Sequence, residues 1–207
     1  MILSALAPPL CAACGAWAAR TEPLCPDCRA GLRWLPPEPV FCGALALWAP
    51  VAYAGPARAL VRGLKFGGVT RAAVAMAAQI AANAPPALLD ADVLAPVPLH
   101  PARLRRRGFN QAARIAAELG RRASLPVWDG LERAGPAGTQ VGRGRAERLA
   151  GIAGTLAVRA GAEVPRSVVI VDDVVTTGAT LSACAAALRA AGARRMTAVA
   201  YARTPGR

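Results

Sequence analysis

The sequence predicts an α/β protein, a mainly parallel sheet flanked by helices, with a small cysteine-bearing module at its N-terminal end. Two observations carry this. The apolar run "SVVIV", the helix-length "TLSACAAALRAAGA" and the apolar "MTAVAYA" follow one another within the last 41 of 207 residues. Such a strand, crossover helix and strand form a βαβ unit, whose parallel strands are covered on both faces and so read as continuous apolar runs. Ahead of everything else stand two C-x-x-C pairs, Cys11/Cys14 and Cys25/Cys28.

Taken in order, residues 1–45 form the cysteine module and end in the proline-rich "WLPPEPVFCG", which reads as a linker; residues 46–207 form the second unit. "LWAPVAY" has strand character, and Pro56 suits the first turn of a helix through "ARALVRGLK". Thr70 is placed to cap the Ala-rich "RAAVAMAAQIAAN", which stops before Pro85 and Pro86. "DVLAPVPLHP" reads as a strand entering a loop, "ARLRRRGF" as loop, and "NQAARIAAELGRRA" as a helix with apolar residues at helical spacing. Residues 135–144 are Gly-rich and lead into a short helix "RAERLAGIA"; Arg143, just before it, with Arg145 and Arg148 forms a basic cluster read as an exposed face. In the closing βαβ unit, Gly192 ends the helix.

Composition narrows the function classes. The 55% hydrophobic content, in helix-length stretches broken by Gly and Pro, fits a packed globular core better than a disordered chain. No window approaches the ~18 continuous apolar residues of a membrane helix. The apolar start lacks a basic leader and is broken by prolines and cysteines, so we expect a cytoplasmic protein without membrane insertion. The net charge of +13 comes almost wholly from arginine, Lys65 being the only lysine. Arginine's planar fork suits phosphate, which favours phosphorylated ligands or nucleic acid; a composition biased to arginine accounts for the charge equally well.

In a reducing compartment the C-x₂-C-x₁₀-C-x₂-C array favours a metal over disulfides. Four thiolates would close a tetrahedral Zn²⁺ site that holds together a segment too small for its own core. Redox pairs and a metal-free remnant are the alternatives. With no open position the zinc would be structural. Cys184, inside "LSACAAAL", reads as a small core residue.

The chemistry concentrates in "VVIVDDVVTTGAT", residues 168–180. Asp172 and Asp173 stand at the carboxyl end of a buried strand, where open α/β sheets bind ligands. The turn after them, Thr176, Thr177, Gly178, Ala179 and Thr180, runs into a helix start, so its N–H groups and hydroxyls can hold a phosphate. Two carboxylates would repel that phosphate and must address another part of the ligand. A vicinal diol suits them, so a phosphorylated ribose satisfies both halves, and Mg²⁺ fits the same picture because it binds through few carboxylates, waters and substrate phosphates. Neither G-x-x-x-x-G-K-[ST] nor G-x-G-x-x-G is present. An ordinary acidic turn capped by threonine is the bland alternative.

This pattern resembles the 5-phosphoribosyl-diphosphate (PRPP) motif of type I phosphoribosyltransferases. "LAPVPLHPARLRRRGFNQA", "TQVGRGRAERLAG", "GARRMTAVAYAR", "GPARALVRGLKFGG" and the N-terminal cysteines extend the likeness, and most of the chain resembles the ComF family of competence-associated, phosphoribosyltransferase-like proteins. The resemblance implies a type I phosphoribosyltransferase fold with an N-terminal zinc-ribbon-like element and an association with DNA uptake. By position, Asp172 and Asp173 would hold the ribose diol and residues 176–180 the 5-phosphate. The turn from Lys65 to Gly68 would meet the diphosphate, and "RLRRRGFNQ" would be a mobile loop bringing Arg105, Arg106 and Arg107 to it. The chain departs from the family at Gly151 and Leu156, and only Cys42 remains where many members carry further cysteine pairs, which implies a reduced metal module.

Arg103, Arg105, Arg106 and Arg107 with Phe109 suit single-stranded DNA as well as diphosphate, so a non-catalytic module working with DNA-uptake proteins is the rival expectation. His100, the only histidine, has a structural reading and a ligand-contact reading, the structural one preferred.

Overall fold

The computed structural model describes residues 10–19, 23–133 and 155–204. The Gly-rich segment, the "RAERLAGIA" helix, the cluster of Arg143, Arg145 and Arg148, and Gly151 lie outside them.

The elements run α1 (Pro26–Ala30), β1 (Val40–Cys42), β2 (Leu45–Trp48), β3 (Val51–Ala52), α2 (Gly55–Phe66), α3 (Thr70–Asn83), α4 (Pro86–Leu89) and β4 (Val93–Pro96). Then come α5 (Pro101–Arg107), α6 (Gln111–Ala123), β5 (Leu131–Arg133), β6 (Leu156–Val158), β7 (Ser167–Val175), α7 (Ala179–Ala190) and β8 (Arg195–Arg203). The main sheet has the order β1-β2-β8-β7-β4, with β3 beside β8. Only the β1/β2 hairpin is antiparallel in it. β5 and β6 form a separate antiparallel pair.

Strand alternation divides the core. Val169, Val171, Val199 and Tyr201 face α2, α3 and α6, packing on Leu60, Met76, Ile80 and Ile115. Val168, Ile170, Ala198 and Ala200 face α7, packing on Leu181, Cys184 and Leu188. A sheet covered on both faces is why these strands read as unbroken apolar runs. The cysteine module shares the first of these cores, since Cys11, Leu24, Cys25, Cys28 and Leu32 are buried together with Leu60, Val61 and Leu64 of α2.

Several expectations need correction. The strand does not end at the acids: β7 continues through Asp172 and Asp173 to Val175, because Asp172 and the valines after it stay in register with Ala200, Ala202 and Arg203 of β8. "ARLRRRGF" is not loop. Pro101 at its first turn, the His100 cap and Gly108 in the left-handed region at φ 80 make it the helix α5. Thr70 opens α3 as its first residue, with Val69 in the cap position. "LWAPVAY" is split into β2 and β3 around Pro50, which lacks the N–H a ladder needs.

Candidate functional site

The carboxyl edge of the parallel sheet gathers the residues that carry chemistry. Alternation turns Asp173 towards the α2 face, and its side chain is 4% exposed. There it meets Lys65, from the last turn of α2, with Nζ 2.6 Å from Oδ2. The contact is an ion pair without hydrogen-bond geometry. Asp172 belongs to the opposite parity, on the side of Cys184 and Arg133. Its Oδ1 accepts the Asp173 backbone N–H at 2.8 Å. Burial, reinforced by the Asp173 charge, holds the Asp172 carboxyl well above the usual carboxylate range; Lys65 pulls it the other way. The pair therefore resists carrying two negative charges at once.

Beyond Val175 the chain turns through Thr176 and Thr177, both exposed, to Gly178, which sits at φ 77 as the residue before α7. Gly178, in the cap position, has no side chain to offer this helix start. The Thr177 hydroxyl accepts the Ala179 N–H at 3.4 Å, while Thr180 lies in the first turn, half-buried. Gly178 is required twice over. Its backbone is left-handed, and a Cβ there would stand 2.2 Å from Cys42 Sγ. Cys42, on β1, donates to the Thr177 carbonyl at 3.3 Å. Sequence reading set Cys42 aside as the remainder of a metal module, but the fold seats it against the turn. The only sequence signal was that it stands outside the two C-x-x-C pairs.

The three arginines separate. Arg105 and Arg106 are exposed on α5. Arg107 turns inward, its guanidinium 5.3 Å from the centroid of the Phe66 ring and its Nη1 donating to Gln111 Oε1 at 2.6 Å. Burial lowers its pKa, opposed by the Asp173 charge. Lys65, from α2, thus pairs directly with Asp173, while Arg107, from α5, stacks on Phe66 and feels the Asp173 charge. His100 Nδ1 accepts the Ala102 N–H at 3.1 Å and so caps α5, in keeping with the structural reading.

The four cysteine sulfurs of the N-terminal module lie within 4.8 Å of one another. Cys14 and Cys25 sulfurs are 3.8 Å apart. A tetrahedron of Zn–S bonds of about 2.3 Å has edges of about 3.8 Å, so the donor set fits Zn²⁺ in spacing and in chemistry. Burial opposes ionisation of Cys11, but backbone hydrogen bonds from Cys25, Cys14 and Ala13 bring its thiol down to about 6. Burial and the neighbouring sulfurs push Cys28 up. Without a cation the four cannot all be thiolates. Cys184, in α7, is fully buried, and burial raises its thiol to about 12, as a core residue requires.

These features define a doubly covered α/β protein whose carboxyl sheet edge combines an acid-bearing strand with a glycine-led helix start. The phosphoribosyl transferase domain model matches residues 104–207, and the chain belongs to that family. A double zinc ribbon domain model matches residues 2–58. The fold is that of type I phosphoribosyltransferases, a mostly parallel sheet with flanking helices, carrying a zinc-ribbon-like four-cysteine cluster. That cluster is the one group of metal-ligating side chains found among the described residues.

Among solved structures, the chain is similar to glutamine PRPP amidotransferase from B. subtilis, complexed with ADP and GMP, at 22% identity and a TM-score of 0.45, over 63% of this chain and 26% of that one. It is also similar to a hypoxanthine phosphoribosyltransferase from Staphylococcus aureus at 14% identity and a TM-score of 0.40, over 62% and 61%. The aligned region thus spans under two thirds of either protein. No curated protein matches. No described helix is long and apolar enough to cross a membrane.

Proposed function

We propose that the chain is a ComF-like protein that binds PRPP with Mg²⁺ and transfers its ribose 5-phosphate to a nitrogen nucleophile, with loss of pyrophosphate, in the service of DNA uptake. One observation carries the reading: a strand bearing Asp172 and Asp173 leads through Thr176 and Thr177 to Gly178 at φ 77 and the start of α7. In this arrangement the turn at 176–180 offers N–H groups and hydroxyls to the 5-phosphate. Asp172 and Asp173 take the ribose hydroxyls, and Lys65, Arg105, Arg106 and Arg107 surround the diphosphate. Catalysis rests on position and charge: cationic side chains stabilise the leaving diphosphate, and no covalent protein nucleophile is needed.

Carboxylate oxygens suit Mg²⁺, but Asp173 already has a cation, so a bound Mg²⁺ would draw most of its ligands from the diphosphate. Once bound, the metal would neutralise the departing charge. In the cysteine module, Cys11, Cys14, Cys25 and Cys28 would hold one Zn²⁺ with a purely structural part. We keep the boundary near residue 45 as an organisational division between module and transferase unit, although they share a core.

Isothermal titration with PRPP and Mg²⁺ tests the reading. Heat is expected from the wild type and is lost in D172N/D173N; a silent wild type would sink it. A second reading, a non-catalytic module for single-stranded DNA, is favoured by the outward-facing Arg103, Arg105 and Arg106. It requires salt-dependent DNA binding that disappears when those three are neutralised.

A further inference from the structure

The ribose-binding role proposed for Asp173 meets an obstacle. The carboxylate is 4% exposed, and its Oδ2 is held by the Lys65 ammonium at 2.6 Å. A diol cannot take both carboxylate oxygens of Asp173 until that ammonium leaves Oδ2. Three features make the movement local. Lys65 is itself 23% exposed, so its outer surface already faces an incoming ligand. Its flexible four-carbon stem springs from the last turn of α2, so the amine can be re-aimed without moving backbone. Arg107, fixed by Phe66 and Gln111, interacts electrostatically with Asp173 and so softens the charge left uncompensated during the exchange.

Resting on the PRPP reading above, we propose that Lys65 is a specificity-determining counter-ion. It fills the cation seat at Asp173 in the ligand-free protein. It leaves that seat only for a ligand that supplies an anionic group for the lysine and hydroxyls for the carboxylate in one molecule. Pyrophosphate alone offers nothing to Asp173, and an unphosphorylated ribose offers nothing to the ammonium. Each half-ligand leaves one buried or half-buried charge unpaired, which is costly, whereas the joined ligand satisfies both. The same arrangement keeps a free divalent cation off the acid pair, because a cation is already there. The metal then enters only on the diphosphate.

The chain offers an unusual probe of this, since Lys65 is its only lysine. Protein labelled with ¹³C,¹⁵N-lysine gives a single side-chain ammonium signal. The signal is expected to move on Asp173→Asn, to move with saturating PRPP and Mg²⁺, and to stay in place with Mg²⁺ alone, pyrophosphate alone or ribose alone. As a second measurement, Mn²⁺ binding followed by water-proton relaxation should tighten at least tenfold in Lys65→Met and fall back in Lys65→Met/Asp173→Asn. Lys65→Arg, which keeps the charge, should leave it weak.

A lysine signal unmoved by PRPP that calorimetry shows to bind overturns the counter-ion proposal and leaves the PRPP reading standing. Movement with pyrophosphate alone, or tight Mn²⁺ binding by the wild type, also overturns it. Absence of PRPP heat, with the signal responsive to Asp173→Asn and the Mn²⁺ site opened by Lys65→Met, removes the PRPP reading and leaves Lys65 as the resident cation of the acid pair.

Discussion

The cysteine module and the acid strand pose the same electrostatic problem and meet it differently. Four sulfurs within 4.8 Å and two adjacent carboxyls are both collections of groups that cannot all ionise unaided. The thiols need a cation from outside. The acids receive one from inside the chain, Lys65, together with a proton favoured on Asp172. One region is therefore a permanent structural clamp, while the other can exchange its cation for a ligand.

The largest test of this contrast is metal removal. Cys28→Ala, or chelation, should cost at least about 5 kcal/mol, since structural zinc supplies roughly 10 kcal/mol or more to isolated fingers. The loss extends beyond the module because its buried residues share a core with Leu60 and Leu64. Metal analysis with thermal melting measures it, and an undisturbed melt after complete demetallation would refute the clamp. Next comes Lys65→Met, which leaves Asp173 buried without its partner and should cost about 3 kcal/mol in denaturant unfolding. Lys65→Met/Asp173→Asn should recover most of that, and failure to recover would mean that the lysine stem, not its charge, matters.

Gly178→Ala is expected to cost about 1–3 kcal/mol, from a left-handed backbone and a forced shift of the Cys42 sulfur. Cys42→Ala should relieve the steric share but not the backbone share, which a double-mutant cycle separates. A smaller effect is expected from Asp172→Asn. The folded pKa of Asp172 lies above the unfolded value near 3.8, so between the two the native state binds more protons and stability falls as pH rises. The variant should be more stable than wild type at neutral pH and lose that slope. Asp173, Lys65, Arg133 and Cys184 are the charged or titratable neighbours that set it. At the bottom of the scale, Arg195→Ala breaks an exposed 2.7 Å pair with Asp90 and should stay within about 0.5 kcal/mol.

Sequence reading recovered what local pattern determines. The βαβ unit, the helix from Gln111 and the paired cysteines announce themselves through periodicity and spacing. It missed what depends on partners distant along the chain. β7 continues through two acids because β8 lies beside it, a fact absent from "VVIVDD" itself. Lys65 and Asp173 are 108 positions apart in sequence, so the two were assigned to different parts of a ligand rather than to each other. Cys42 and Thr177 are 135 residues apart. The arginine segment was misread for a local reason: its cap is the single histidine, and three consecutive arginines outweighed the Pro101 and Gly108 that delimit a helix.

The pairing of β2 with β8 also bears on how the chain is made. Strand β2, at Leu45–Trp48, finds its parallel neighbour only when residues 195–203 have left the ribosome. At synthesis rates of about 5–20 residues per second that interval is roughly 7–30 s. Throughout it the core face of the cysteine module lacks Val199 and Tyr201, which later pack in the same core. The thiols at residues 11 to 28 are thus on offer to metal, oxidant or one another well before the sheet that shelters them exists. Early metal capture would give the nascent chain its first fixed point and keep those sulfurs from wrong partners while the rest of the sheet is still being synthesised.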